Sequence, residues 1–166
     1  MPFTPDSPAP RPLPRPPLPP LPRTVSGVFV RNVLQTACPG YFALVWLDAG
    51  PALSGADFEF VDDLPATCPR PDAPLPEAFR NAFAEGVRVG LEARGKGRSV
   101  HATRIVLRDA LWSEIDSNPW SFEVAGRYAA TEVLACVRED RAPRQAGRNA
   151  RTDRPIPPMP STRTRG

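Results

Sequence analysis

His101 is the only histidine in the 166-residue chain, so a proton relay of the Ser-His-Asp or Cys-His kind would have to be built on it. It opens a strand-like run, and no Gly-x-Ser-x-Gly turn presents a serine, so an edge or surface histidine is the simpler reading. One histidine with Cys38, Cys68 and Cys136, none at paired spacing, does not make a metal site. Gly90 to Gly97, GLEARGKG, comes one residue short of Gly-x-x-x-x-Gly-Lys-Ser/Thr, because Gly97 stands where the Mg²⁺-binding hydroxyl belongs. That stretch also joins a helix to a strand, so no helix N-terminus faces a phosphate, and nucleotide binding is not expected. Asp109, Glu114 and Asp116 could act as paired carboxylates. Turn formation at Asp109, and the place of Asp116 near the positive end of the following helix, explain them without catalysis. No catalytic residue, cofactor or metal ligand is assigned, and the expectation is a chain that is not an enzyme. Trp112 is different in kind: an indole in a turn can stack on a nucleobase, worth about 1 to 3 kcal/mol per base, or it can cap the core.

The elements that must hold these residues can be read from periodicity. Thr103, Ile105 and Leu107 alternate with Arg104 and Arg108, as a half-buried strand requires, and Asp109 to Ser117 interrupts the pattern as a polar turn. Asn118-Pro119 is a strong helix start, followed by Phe122, Ala125, Ala129, Val133 and Cys136 on one face. Upstream, Val25 to Leu34 reads as a strand, Gln35 to Gly40 as a turn, and YFALVWL, Tyr41 to Leu47, as a central strand covered on both faces. Ala49 to Ser54 reads as a loop, and Asp57 to Val61 as a strand with Phe58 and Phe60 inward. Pro65 to Pro76 is a proline-broken connection. Ala78, Phe79, Ala82, Phe83, Val87 and Leu91 mark a helix ending near Gly90 or Ala93, and RGKGRS, Arg94 to Ser99, is a basic loop. The order is β-β-β-α-β-α, an α+β domain, with a possible short strand at Trp112 to Ile115.

Composition sets the limits. Of 24 prolines, eleven fall in the first 23 residues and five after Val137. Residues 1–23 are therefore expected to be a polyproline or disordered arm, residues 24–137 the folded domain, and residues 138–166 a disordered Arg/Pro-rich tail. The Pro14 to Pro17 spacing beside Arg11 and Arg15 could dock in an aromatic groove of a protein partner, although a spacer is the simpler role. Charge divides the same way: three Arg against one Asp in the arm, ten basic against fourteen acidic residues in the domain, eight Arg against three acids in the tail. General attraction to phosphates would come from the ends of the chain. The odd cysteine count, the absence of a charged-then-apolar leader and the absence of a membrane-length apolar run point to a cytoplasmic protein with no membrane association.

The run Asp109, Ala110, Leu111, Trp112, Ser113, Glu114, Ile115, Asp116, Ser117, then Phe122, Ala125 and Gly126, resembles domain IV of translation elongation factor G. There an Asp-Gly turn, a two-residue tip, Val-Asp-Ser and a Phe-x-x-Ala-Gly helix follow at the same spacing. Gln35, Thr36, Ala37, Cys38, Pro39, Gly40, Tyr41, Phe42 and Ala43 align without a gap to that family's Gln-Ser/Thr-Gly-Gly-x-Gly-Gln-aromatic-Ala turn. Phe58, Glu59, Phe60 and Val61 match its Phe-Glu-Phe-Val. Core positions match better than tip positions: Ser113 stands where the family usually has histidine, Ala110 at the turn glycine, and Ala37 with Cys38 at the glycine pair.

The resemblance implies a compact, ribosomal-protein-like sheet with helices on one face and a left-handed β-α-β crossover. It implies two tip loops, Gln35 to Gly40 and Leu111, Trp112, Ser113 and Glu114, that would contact the ribosome or structured RNA. Without a GTPase domain beside it, such a domain would not drive translocation. The alternative is a protein-interaction adaptor, in which a retained scaffold presents the proline-rich arm and the basic tail.

Overall fold

The computed structural model describes Pro8, Pro10, residues 15–36, Cys38 and residues 40–162. Four strands and two helices follow in order: β1 Val25–Leu34, β2 Tyr41–Pro51, β3 Phe58–Asp62, α1 Glu77–Glu92, β4 Thr103–Leu111 and α2 Pro119–Glu139. They form one mixed sheet in the order β1-β2-β4-β3. The β1/β2 and β2/β4 pairs are antiparallel, while β3 and β4 are parallel neighbours joined through α1.

Each element follows from its residues. Val28, Val30, Ala43, Val45, Leu47, Ile105 and Leu107 are fully buried on the face that carries the helices, every second position along each strand. The helix start at Asn118 is a capping box: its side chain accepts from the Ser121 amide while the Ser121 hydroxyl serves the Asn118 amide, with Pro119 at the first helical position. The two helices touch through glycine. A Cβ on Gly86 would lie 2.0 Å from the Glu123 carbonyl oxygen, and one on Gly126 2.3 Å from that of Phe83, so only the absence of side chains allows this approach. At one end of the interface Phe79 stacks on Phe122 with centroids 5.2 Å apart.

Strand limits differ from expectation by one residue at β3, Phe58–Asp62 rather than Asp57 to Val61, and by more in two other places. β2 runs on through Ala49 to Pro51, and β4 continues through Asp109 to Leu111 because the break in alternation there is a bulge rather than a turn. Trp46 faces Asp109 and Leu47 faces Leu107, which leaves Arg108 as the extra residue. Arg108 and Asp109 consequently share the outer face, and Ala110 returns to the core. Trp112 to Ile115 form no strand.

The expected domain limits, 24 and 137, omit two segments that pack against the sheet. Leu21 is buried in the core, and Pro19 to Leu21 exchange backbone hydrogen bonds with Ala102. Arg23 donates to the carbonyls of Cys136 (2.8 Å) and Arg141 (2.7 Å), closing the end of α2. At the other end of the chain, Ala146 pairs with Val30 along the free edge of β1. Residues 155–161 then cross the outer face, where Ile156 and Met159 pack on Phe29, Trp46 and Leu111. Trp46 donates its indole N–H to the Pro157 carbonyl at 2.9 Å, and Gln145 donates to that of Pro155 at 2.8 Å. A proline-rich segment has no period and few donors, yet its carbonyls still accept from side chains, so composition hides this kind of docking. Arg11, Pro14 and the rest of the proline arm before Arg15, apart from Pro8 and Pro10, lie outside the described residues.

Candidate nucleic-acid interface

The β1-β2 hairpin sets Leu34 opposite Tyr41, and β4 ends with Leu111 opposite Leu44, so the reversals after β1 and after β4 emerge at the same end of the sheet. They are bonded together. Asn118 donates its side-chain amide to the Gly40 carbonyl at 3.0 Å, and Gln35 donates to Asp116 at 3.2 Å. Ser117 donates its hydroxyl to the Phe42 carbonyl. A Cβ at Gly40 would lie 2.9 Å from Asp116 Oδ1, so this glycine is what lets the second reversal seat against the first. Ala37 and Pro39 lie outside the described residues.

The second reversal is wound on Ser113. Its hydroxyl accepts from the amides of Ile115 (3.2 Å) and Asp116 (3.1 Å), while its own amide donates to the Ser117 hydroxyl at 2.8 Å. Ser113 thus builds the turn. Trp112 is half buried, with its ring edge-on to Phe79 at 5.9 Å and its indole N–H buried without an acceptor among the described residues, so it closes the core end. Leu111 is a buried strand residue of the outer cluster. Among the described residues of the two reversals, the exposed ones are Gln35, Thr36, Cys38, Glu114 and Ile115, the last 91% exposed.

Between the reversals and the 69–71 connection lies a groove of about 320 Å³, lined by Gln35, Phe42, Arg70, Leu111, Trp112 and Ile115 among others. The Arg70 carbonyl accepts from the Trp112 amide at 3.3 Å, which anchors the connection there. Arg70 and Ile115 line this groove although motif matching puts neither at the tip: Arg70 lies outside the matched motifs, Ile115 matches only as the first residue of the Val-Asp-Ser run, and proximity to Trp112 in the fold brings both in.

Among the described residues no group of three His, Cys, Asp or Glu could hold a metal, and no helix is long and apolar enough to cross a membrane. Burial pushes the Cys68 thiol up to about 11, with Asp109 adding to it, and burial with Glu132 does the same for Cys136. Both stay protonated at neutral pH. His101 accepts at its backbone carbonyl from Ser99 (2.7 Å) and Thr103 (3.1 Å), and its buried Nδ1 has no partner among the described residues.

No family model matches the chain. Among solved structures, an elongation-factor-G-like protein, ttk003000868 from Thermus thermophilus, superposes with a TM-score of 0.53 at 18% identity, over 74% of this chain. The fold is that of elongation factor G domain IV. At that identity the likeness is one of fold alone, and the superposed region is 17% of the Thermus chain. In the domain IV fold of this chain the reversals stand side by side, as the order and register of the strands require.

Proposed function

We propose that this chain is a non-catalytic, translation-factor-like module that binds the ribosome or a structured RNA, in the cytoplasm, through the end of the sheet where residues 35–40 and 111–117 meet. The observation that supports the reading is the bonded pairing of the two reversals, Asn118 to Gly40 and Gln35 to Asp116, which presents them as one surface. Around it lie an amide, a guanidinium and an exposed branched apolar side chain, on Gln35, Arg70 and Ile115, beside the edge of Trp112. Amide and guanidinium groups reach phosphates and base edges, and an apolar side chain can lie against an unstacked base. Ser113 and Trp112 contribute by shaping the surface. On the adaptor reading, the tail would be presented by a backbone fixed to the sheet at Ala146, Ile156 and Met159, with Arg148, Arg151 and Arg154 exposed.

Co-sedimentation of the full chain with ribosomal subunits at low salt tests the proposal. Association that drops at least about tenfold with Arg70→Ala plus Ile115→Ser, at unchanged thermal stability, is the expected result. Absence of association with either subunit, and with structured RNA, would remove it.

A further inference from the structure

Eight of the 17 arginines on the described residues form ion pairs with carboxylates: Arg23, Arg80, Arg88, Arg98, Arg108, Arg127, Arg138 and Arg141. Arg31, Arg148, Arg151 and Arg154 belong to the nine that form none among the described residues, and the fold gathers these four. The Arg31 amide donates to the Ala146 carbonyl at 2.8 Å, and Gly147 presses so closely on the Arg31 carbonyl that a Cβ there would lie 2.1 Å from its oxygen. The residue after that glycine is Arg148, whose guanidinium lies 5.7 Å from the centre of the Tyr41 ring. Tyr41 follows Gly40 directly, so this arginine borders the paired reversals. Arg31 and Arg151 line one open groove of about 250 Å³ with Phe29, Leu44, Gln145 and Pro157. Arg154 closes the turn begun at Arg151, its amide donating to the Arg151 carbonyl at 3.1 Å. Two carboxylates lie nearby: Glu132 is engaged by Arg141 and by the Arg144 amide, and Asp153, exposed within the turn, offsets one of the four arginine charges and leaves the strip positive.

We infer that the edge of β1, finished by residues 146–154, is a phosphate-binding track for the backbone of a structured RNA whose unpaired end reaches the paired reversals. The inference rests on the reading of the tip given above and extends it along the side of the domain. Planar guanidinium groups without carboxylate partners suit phosphodiester oxygens, and a tyrosine ring already carrying one of them adds a stacking face. The tip supplies placement, while the track supplies the salt-dependent part of the affinity.

The test is fluorescence anisotropy of the full chain with a labelled RNA hairpin bearing a single-stranded end, titrated from about 50 to about 200 mM salt. Arg31→Gln with Arg148→Gln and Arg151→Gln should lower the slope of log affinity against log salt by about 2 to 3, at roughly 0.7 to 0.9 per lost phosphate contact. Arg148→Gln with Arg151→Gln alone keeps the Arg31 hydrogen bond to the Asn149 carbonyl and should lower it by about 1 to 2. Arg94→Gln with Lys96→Gln, which removes charge at the far end of the sheet, should leave the slope alone. An unchanged slope in the first two variants, an equal fall in the third, or tighter binding to polyglutamate than to the hairpin would overturn the track, the last pointing to an acidic protein instead. Binding lost in Arg70→Ala with Ile115→Ser but unaltered in the arginine variants would leave the tip reading standing and sink the track. The reverse pattern would keep the track and sink the tip.

Discussion

Ser161 donates both its backbone amide and its hydroxyl to one carboxylate oxygen of Asp109, at 2.8 and 2.6 Å, while the other oxygen accepts from the Ala110 amide at 2.9 Å. Asp109 is wholly buried and lies on the outer face only because the bulge at Arg108 turns it there. The carboxylate that reads as turn chemistry in the sequence is instead the fastener of the C-terminal segment.

Hydrogen bonds to a charged group contribute about 1.5 to 3 kcal/mol each, and a buried donor left alone costs about 1 to 3. Asp109→Ala should therefore lower the free energy of unfolding by about 2 to 4 kcal/mol, and Ser161→Ala by about 1 to 2, measured by urea denaturation. A double variant no worse than Asp109→Ala alone is the expected sign that the two residues act together.

Removing residues 155–166 should uncover Phe29, Trp46 and Leu44, and leave the Trp46 indole N–H to water. A red shift of tryptophan emission, with binding of a hydrophobic dye to a chain whose far-ultraviolet circular dichroism is retained, is the outcome that checks it. Unchanged emission would mean that the segment does not cover that face.

Gly86→Ala gains about 1 kcal/mol of helix propensity but drives a methyl into the backbone of α2, where the Glu123 carbonyl stands. The clash should win, with a net loss of about 1 to 3 kcal/mol in thermal or chemical unfolding. A stabilised variant would contradict the close approach of the helices.

Asp57 is held below the ordinary carboxylate range first by its hydrogen bonds from Arg98, Glu59 by those from Ser54 and the Leu53 amide, and Glu85 by those from Arg88. Because these groups are easier to ionise in the folded state, the unfolded chain takes up more protons as pH falls, and their contribution disappears on the acid side. The melting temperature should be level above about pH 5 and fall below about pH 4, with a shallower fall in Arg98→Met.

Local chemistry is readable where it is short-range. Asn118-Pro119 announces α2, the alternation around Ile105 announces β4, and the apolar run of Tyr41 to Leu47 announces a strand covered on both faces. What covers the second face is not readable, because Ile156, Met159 and the Pro157 carbonyl lie more than a hundred residues from the strand they meet and follow no period. The Arg108 bulge reads as a turn, since one inserted residue breaks alternation just as a reversal does. At the candidate site, the matched motifs locate the two reversals. They do not separate residues that build the reversals, such as Ser113 and Trp112, from residues that face outward, such as Arg70 and Ile115, because that distinction depends on packing.

The pairing of Ala146 with Val30 has a bearing on self-assembly. A long apolar strand at a sheet border is a template on which another copy of the same chain can add itself, and here the middle of that border, Phe29 to Arg31, is paired with the chain's own Ala146. The opposite border, β3, is five residues long and carries Glu59 and Asp62, a poor template by length and by charge. A chain from which residues 146–161 are missing would therefore be more prone to add edge to edge than one that holds them.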